Sequence, residues 1–188
     1  TWYGPTFDRV LAEEGAVLLM RGRRADLERL RAVLLTALRE LQRQLVAAGV
    51  DQVAPERALA GHFTGAALQG SADLVVRNRS GHWAIVDIKW SGGTYRQEQL
   101  TAGRHLQLAV YAERVRQATG AWPQVACFIL ESARLLALDN AFFPEGLVVK
   151  GGDARTTPVL WQQCQAAWAW RRAQLDRGRI ELVLEDVE

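Results

Sequence analysis

The sequence predicts an α/β fold, a central mixed β-sheet flanked by α-helices, and three observations carry that expectation. Leucines at 27, 30, 34, 38, 41 and 45 recur at helical spacing between Asp26 and Ala48. Two β-rich runs, Ala67 to Arg77 and His82 to Trp90, flank Asn78-Arg79-Ser80-Gly81, a turn signal that predicts an antiparallel hairpin. A second helical stretch, Glu98 to Gly120, separates this hairpin from the apolar run Pro123 to Leu130, and interleaving of strand with helix is the α/β pattern.

A chain of 188 residues, 49% hydrophobic and 23% charged, is long and apolar enough for one globular domain over 1–188 with a sizeable core. Its start at Thr1 rather than Met leads us to expect a piece cut from something longer. A net charge of +2 is too small to announce a nucleic-acid partner. The cations are nearly all arginine; only Lys89 and Lys150 are lysines, so a lysine inside Asp87-Ile88-Lys89 stands out, its compact ammonium doing what guanidinium does not. Cys127 and Cys164 lie far apart in apolar surroundings and outside any Cys-x-x-Cys pair, which suits buried thiols of a reducing, cytoplasmic compartment. No apolar run approaches the ~20 residues that cross a bilayer, and no charged-then-apolar stretch ahead of a small-residue cleavage site is read in these residues, so no membrane association is expected.

In chain order, Trp2-Tyr3-Gly4-Pro5 leads into a helix over Thr6 to Met20, closed by the basic cluster Arg21, Arg23, Arg24, which is either a solvated face or a phosphate contact. Asp26 to Ala48 is a scaffold helix stopped by Gly49. Strands follow at Val53 to Phe63, Ala67 to Arg77 and His82 to Trp90, then a flexible loop, Ser91 to Arg96. On the helix Glu98 to Gly120, steps of ~100° per residue gather Arg104, Gln107, Tyr111 and Arg114 into one hydrogen-bonding and cationic sector. Pro123 to Leu130 and Ala133 to Leu138 extend the sheet. Residues 139–157, with a short strand at Leu147 to Lys150, form either a flap or a long connection. Thr157-Pro158 starts a helix to Arg177 whose Trp161, Cys164, Trp168 and Leu175 share one side and are expected in the core before they serve as base-stacking platforms. The tail Arg179 to Glu188 reads as an edge strand or an ordered terminus.

Strand alternation turns Asp87 and Lys89 to one side of their strand and Val86 and Ile88 to the other. With Asp73 of Gly70-Ser71-Ala72-Asp73 on the adjacent strand, two carboxylates and a lysine can meet. Hard oxygens of this kind hold Mg²⁺ with sites left open, and the backbone carbonyl of Ile88 is placed to add a third. Lys89 could orient or deprotonate water and offset negative charge. The plain alternative for Asp-x-Lys is a surface ion pair, and for Gly-x-x-Asp a turn. Against it, the residues around Asp87 are apolar (Ala84, Ile85, Val86, Ile88), so these charges end a core strand.

The order Glu56, Gly70-x-x-Asp73, Val86-Asp87-x-Lys89, Gln107-x-x-x-Tyr111 resembles the RecB-like branch of the PD-(D/E)XK nuclease superfamily. The resemblance covers roughly residues 4 to 135 and implies a restriction-endonuclease-like core. It further implies a metal-dependent DNA nuclease, an exonuclease of repair or recombination using Mg²⁺ or Mn²⁺, with DNA and a helicase domain or subunit of the parent protein as partners. On this resemblance Asp73, Asp87 and the Ile88 carbonyl bind metal, Lys89 is the catalytic lysine, and Gln107 and Tyr111 lie near the lysine and the DNA backbone, with Arg96, Arg104 and Arg114 as cations positioning the strand. Glu56 is either a matching acidic residue or a strand start. Asp8, four residues after Gly4 where many members carry a metal-binding His, is either a ligand or an ordinary helix-start residue.

Where members have Thr or Ser then Gly after the lysine, this chain has Trp90-Ser91-Gly92; Trp90 is expected to face away from Lys89 and pack. Some relatives bind an iron–sulfur cluster through four cysteines, and with two cysteines no cluster is expected within this chain. His62, His82 and His105 lack ligand spacing; His62 and His82 are read as structural or surface residues, and His105, about 200° from Gln107 around the predicted helix, is not expected to share a site with it. Two rival readings stand beside the nuclease: a catalytically inactive module of the same fold that binds DNA or protein in a larger repair complex, and an unrelated enzyme with a coincidental Asp-x-Lys.

Overall fold

The structure is a computed structural model and describes residues 2–63, 65–149 and 156–180. Helix α1 (Tyr3–Glu14) and a 3-10 turn (Ala16–Leu19) precede α2 (Arg24–Ala47); strands β1 (Val50–Phe63), β2 (Ala66–Asn78) and β3 (Trp83–Lys89) follow. Next come α3 (Gly93–Thr101), α4 (Leu106–Thr119), β4 (Gln124–Ile129), β5 (Arg134–Ala137), β6 (Leu147–Val148) and α5 (Thr157–Asp176).

The six strands form one sheet in the order β1-β2-β3-β4-β5-β6. It is mixed, as expected: β1–β2, β2–β3 and β4–β5 are antiparallel, β3–β4 and β5–β6 parallel. The parallel β3–β4 pair requires a crossover, and α3 and α4 supply it.

Both faces of the sheet are covered, which is why β3 and β4 read as continuous apolar runs. On one face Val75, Ile85, Val125, Cys127 and Ile129 pack with Leu100 of α3 and Leu108, Ala112 and Val115 of α4. On the other, Leu74, Val76, Val86, Ala126 and Phe128 pack with Ala37 and Leu41 of α2 and with Phe142 and Phe143. Asp87 belongs to the first face by alternation, so it lies under α3 and α4.

Three elements differ from the sequence expectation. The stretch read as a loop followed by one helix, Glu98 to Gly120, is two helices with a break between them, and α3 begins at Gly93. Gly103, at φ +65°, causes the break: Gly103 N–H donates to Leu100 O and Arg104 N–H to Gln99 O, the paired bonds of a Schellman cap that ends α3. The first predicted helix likewise stops at Glu14, with Gly15 donating back to Leu11 O. Third, of the α5 residues expected in the core only Trp161 is buried; Cys164 is intermediate and Trp168 and Leu175 are exposed, because α5 packs chiefly on α4 and leaves the rest of its circumference open. The predicted strand at 147–150 is observed over Leu147–Val148, and Lys150 lies outside the described residues, as does most of the predicted tail strand, 181–188. Among the described residues no helix is long and apolar enough to cross a membrane.

Candidate active site

The site lies where the sheet divides. Strand β2 pairs with β3 only as far as Leu74↔Val86, while its pairing with β1 runs on to Ala66. One step past the last β2–β3 pair, Asp73 stands across from Asp87. There the Ile88 N–H has no backbone acceptor on β2, and Asp73 Oδ2 accepts it at 2.7 Å. The neighbouring carbonyl of Lys89 turns to the other edge and accepts from Leu130 N–H at 2.8 Å. Since the N–H and C=O of one strand residue point to the same edge, the Ile88 carbonyl is aimed into the division beside Asp73.

Lys89 Nζ donates to Asp87 Oδ1 at 2.8 Å and stands 4.0 Å from Asp73 Oδ2. Asp87 is 5% exposed, so the ammonium is the compensating charge for a buried carboxylate, and removing it alone would be costly. Burial is the largest influence on Lys89 and pushes its pKa down, but the hydrogen bond it donates to Asp87 and the charges of Asp87 and Asp73 together outweigh it and hold the pKa above the ordinary lysine value. Lys89 is a cation at neutral pH. On the far side Asp87 Oδ2 accepts a weak bond from Cys127 Sγ at 3.5 Å, because β3–β4 register sets Cys127 beside Asp87. Burial first, then the Asp87 charge, push the Cys127 thiol up to about 12, which keeps it a protonated donor.

The break between α3 and α4 opens a recess of about 230 Å³ over Asp87, walled by Arg96, Gln99, Arg104, His105, Gln107 and Cys127 among others. Gln107 Nε2 donates to Tyr111 Oη at 3.2 Å, one turn along α4. Tyr111 in turn lies on Gly70: a Cβ there would sit 3.1 Å from Tyr111 Cε1. Gly70 is therefore not a turn residue. It is in mid-strand opposite Leu59, and its missing side chain lets the α4 tyrosine against β2, three residues before Asp73. Arg96 donates to Gln99 at 2.7 Å at the recess wall, and Arg104, on the inter-helix turn, is exposed.

The remaining candidates lie beside this centre or away from it. Arg114 is 6% exposed, its guanidinium lodged against Gly61, where a Cβ would meet Nη1 at 2.0 Å; it packs α4 onto β1 instead of joining an open cationic face. Asp8 pairs with Arg31, fastening α1 to α2. Glu56 lies across β1–β2 from Asp73 by register, in the left-handed region at φ 47°, a costly conformation for a non-glycine; its carboxylate accepts from Ser71 Oγ at 3.2 Å. Trp90, expected to pack, is 46% exposed. His62 and His82 are exposed, and Arg23 and Arg24 pair with Asp26 and Glu28 on the surface of α2.

The recess includes a residue that helical phase set aside. His105, not expected to share a site with Gln107 because a continuous helix would turn it about 200° away, lies just ahead of α4 and is 6% exposed; the glycine at 103 was the available signal. Cys127 beside Asp87 had none, since β3–β4 register cannot be read from one sequence.

Among the described residues no group of three or more His, Cys, Asp or Glu is arranged to hold a metal. Two carboxylates and a backbone carbonyl nevertheless suit Mg²⁺, which is held by one or two carboxylates and completes its shell with water and substrate phosphate. An Arg- or His-lined hollow alone would not.

Comparison with known proteins bears on the family. The sequence model of the PD-(D/E)XK nuclease superfamily matches residues 6–178. No curated protein matches the chain. Among solved structures, a protein from Eubacterium rectale described as a candidate exonuclease is 12% identical over 100% of this chain and 73% of its own, with a TM-score of 0.49; a likeness of that size carries no weight for fold or activity. With the family match spanning nearly the whole length and a mixed sheet flanked by helices, the chain belongs to the PD-(D/E)XK nuclease superfamily.

Proposed function

We propose that this chain is a Mg²⁺- or Mn²⁺-dependent DNA nuclease, a RecB-like exonuclease of repair or recombination that works with a helicase domain or subunit. The observation that carries the reading is the pair of opposed carboxylates, Asp73 and Asp87, at the division of the sheet with Lys89 Nζ 4.0 and 2.8 Å from them. A silent scaffold gains nothing from holding a lysine against a buried carboxylate, since an apolar replacement of such a pair is often as stable or more so.

Asp73, Asp87 and the Ile88 carbonyl would hold the ion, which supplies Lewis-acid polarisation of the phosphate and lowers the pKa of water when bound. Lys89, charged at neutral pH, donates to an incoming oxygen and offsets charge gathering on the phosphate. Asp73 also fixes the Ile88 peptide, so the carbonyl and the Lys89 stem are oriented by the same hydrogen bond. Gln107 and Tyr111, joined to each other, and the cations Arg96 and Arg104 position the nucleic-acid backbone at the recess. Buried Arg114 holds α4 in place for them.

The test is incubation of 5′- and 3′-labelled linear, circular and single-stranded DNA with Mg²⁺. The expected result is cleavage that falls by at least about a hundredfold in Asp87→Ala and Lys89→Ala, with the fold retained and product sizes giving the polarity. Undiminished cutting by either variant would sink the assignment.

A further inference from the structure

The active-site recess shares a wall with a second hollow. Arg104 and Leu106, at the turn into α4, line the recess and also an open groove of about 560 Å³ between that turn and α5. Its far side is Leu160, Cys164, Trp168 and Arg171. The floor is apolar, and among the described lining residues both charged ones are arginines and none is a carboxylate. Leu106 is 47% and Trp168 46% exposed, a large apolar area to leave uncovered among the described residues.

Trp168 is exposed but not loose. Its ring meets Phe63 edge-on at 5.6 Å between centroids, and Phe63 packs on Trp161 at 5.1 Å, with Trp161 buried. The aromatic row thus runs from the core to the groove and ends in an indole held at one side and open at the other. We propose that Trp168, facing Leu106, is a stacking subsite for an unpaired base, so that the chain selects a single strand running from Asp73 and Asp87 past Arg104 into this groove. The proposal rests on the nuclease reading above.

Two features favour a nucleic-acid strand over a protein partner. The groove is continuous with the recess that takes the scissile phosphate, so nucleotides flanking that phosphate are led to it. Cations at the rim with an apolar floor match an anionic backbone whose bases turn inward, the pairing of electrostatic groove and aromatic platform that single-strand binders use. A base within a duplex has both π-faces covered and cannot enter; one in a single strand or frayed end can.

The test is fluorescence anisotropy with fluorescein-labelled oligothymidylate and a blunt duplex of equal length, in EDTA so that nothing is cut. Trp168→Ala should weaken single-strand binding about tenfold and duplex binding less than about twofold, with Trp168→Phe close to the parent; Leu106→Ser, on the opposite wall, should act in the same direction. Both positions are half exposed, and circular dichroism checks that the variants fold. Equal loss on both DNAs, or no loss on the single strand, overturns the subsite. So does an unchanged affinity accompanied by a change in sedimentation mass, which would give the groove to a second copy of the chain. Because binding is read without metal, Trp168-dependent binding in a chain with no Mg²⁺-dependent cleavage would overturn the nuclease reading and leave the subsite standing.

Discussion

Lowering the pH should destabilise this protein through His105. The ring is 6% exposed, Nε2 lies 3.4 Å from Thr157 Oγ1, and Nδ1 has no side-chain or backbone hydrogen bond among the described residues. Burial pushes the pKa from 6.5 down to about 4, opposed only in part by the backbone of Gln99. The unfolded chain therefore takes up a proton near pH 6.5 that the folded chain refuses until about 4, so stability is full above 6.5, falls as pH drops between those values, and levels off below. At about 1.4 kcal/mol for each pH unit, the drop from 6.5 to about 4 amounts to roughly 3 kcal/mol. The charged residues that line the recess with His105 are Arg96, Arg104 and Asp87, the last paired with Lys89. Urea titrations at pH 7 and pH 4.5 measure the effect, and His105→Gln should show a clearly smaller difference between the two. An imidazole of His105 that titrates near 6.5 by NMR, or the same pH dependence in the glutamine variant, would refute the reasoning.

Two more outcomes follow from contacts around the site. At pH 8 a thiol reagent should label Cys164 first and reach Cys127 only on unfolding, since burial and the Asp87 carboxylate hold the Cys127 thiol up at about 12; equal labelling rates for the two would contradict this. Gly70→Val should destabilise by about 1–3 kcal/mol in urea titration, the cost of overpacking, because the space above Gly70 is filled by the Tyr111 ring. The same valine in a Tyr111→Ala background should cost much less, and an undiminished cost there would show that the clash lies elsewhere.

The carboxylates and lysine were legible because strand alternation is a strict period of two and turn chemistry fixes a hairpin: Asp87 and Lys89 share a face and Asp73 is across from Asp87, as spacing implied. The scaffold helix α2 was equally plain from its leucines. What spacing could not carry was the point where β2 leaves β3, which depends on how far β1 and β2 extend as a separate arm. The helical reading of Glu98 to Gly120 failed for a local reason. Gly103 takes a left-handed conformation and caps α3, which moves Arg104 off α4 and brings His105 to the recess. Arg114 looked like a surface cation because helical phase alone does not tell which neighbours a sector meets; β1, bare at Gly61, covers it. The α5 tryptophans were misjudged by the same logic, since an aromatic stripe implies burial only if a partner lies against its whole length.

The central claim is that Asp73 and Asp87 together hold a divalent ion. Calorimetric titration of the intact chain with Mn²⁺ tests it most directly, with Asp73→Ala and Asp87→Ala alongside. The parent should bind, and each variant should lose at least about tenfold in affinity, since changing even an outer-shell partner of a metal ligand costs that much. Affinity unchanged in both variants would contradict it.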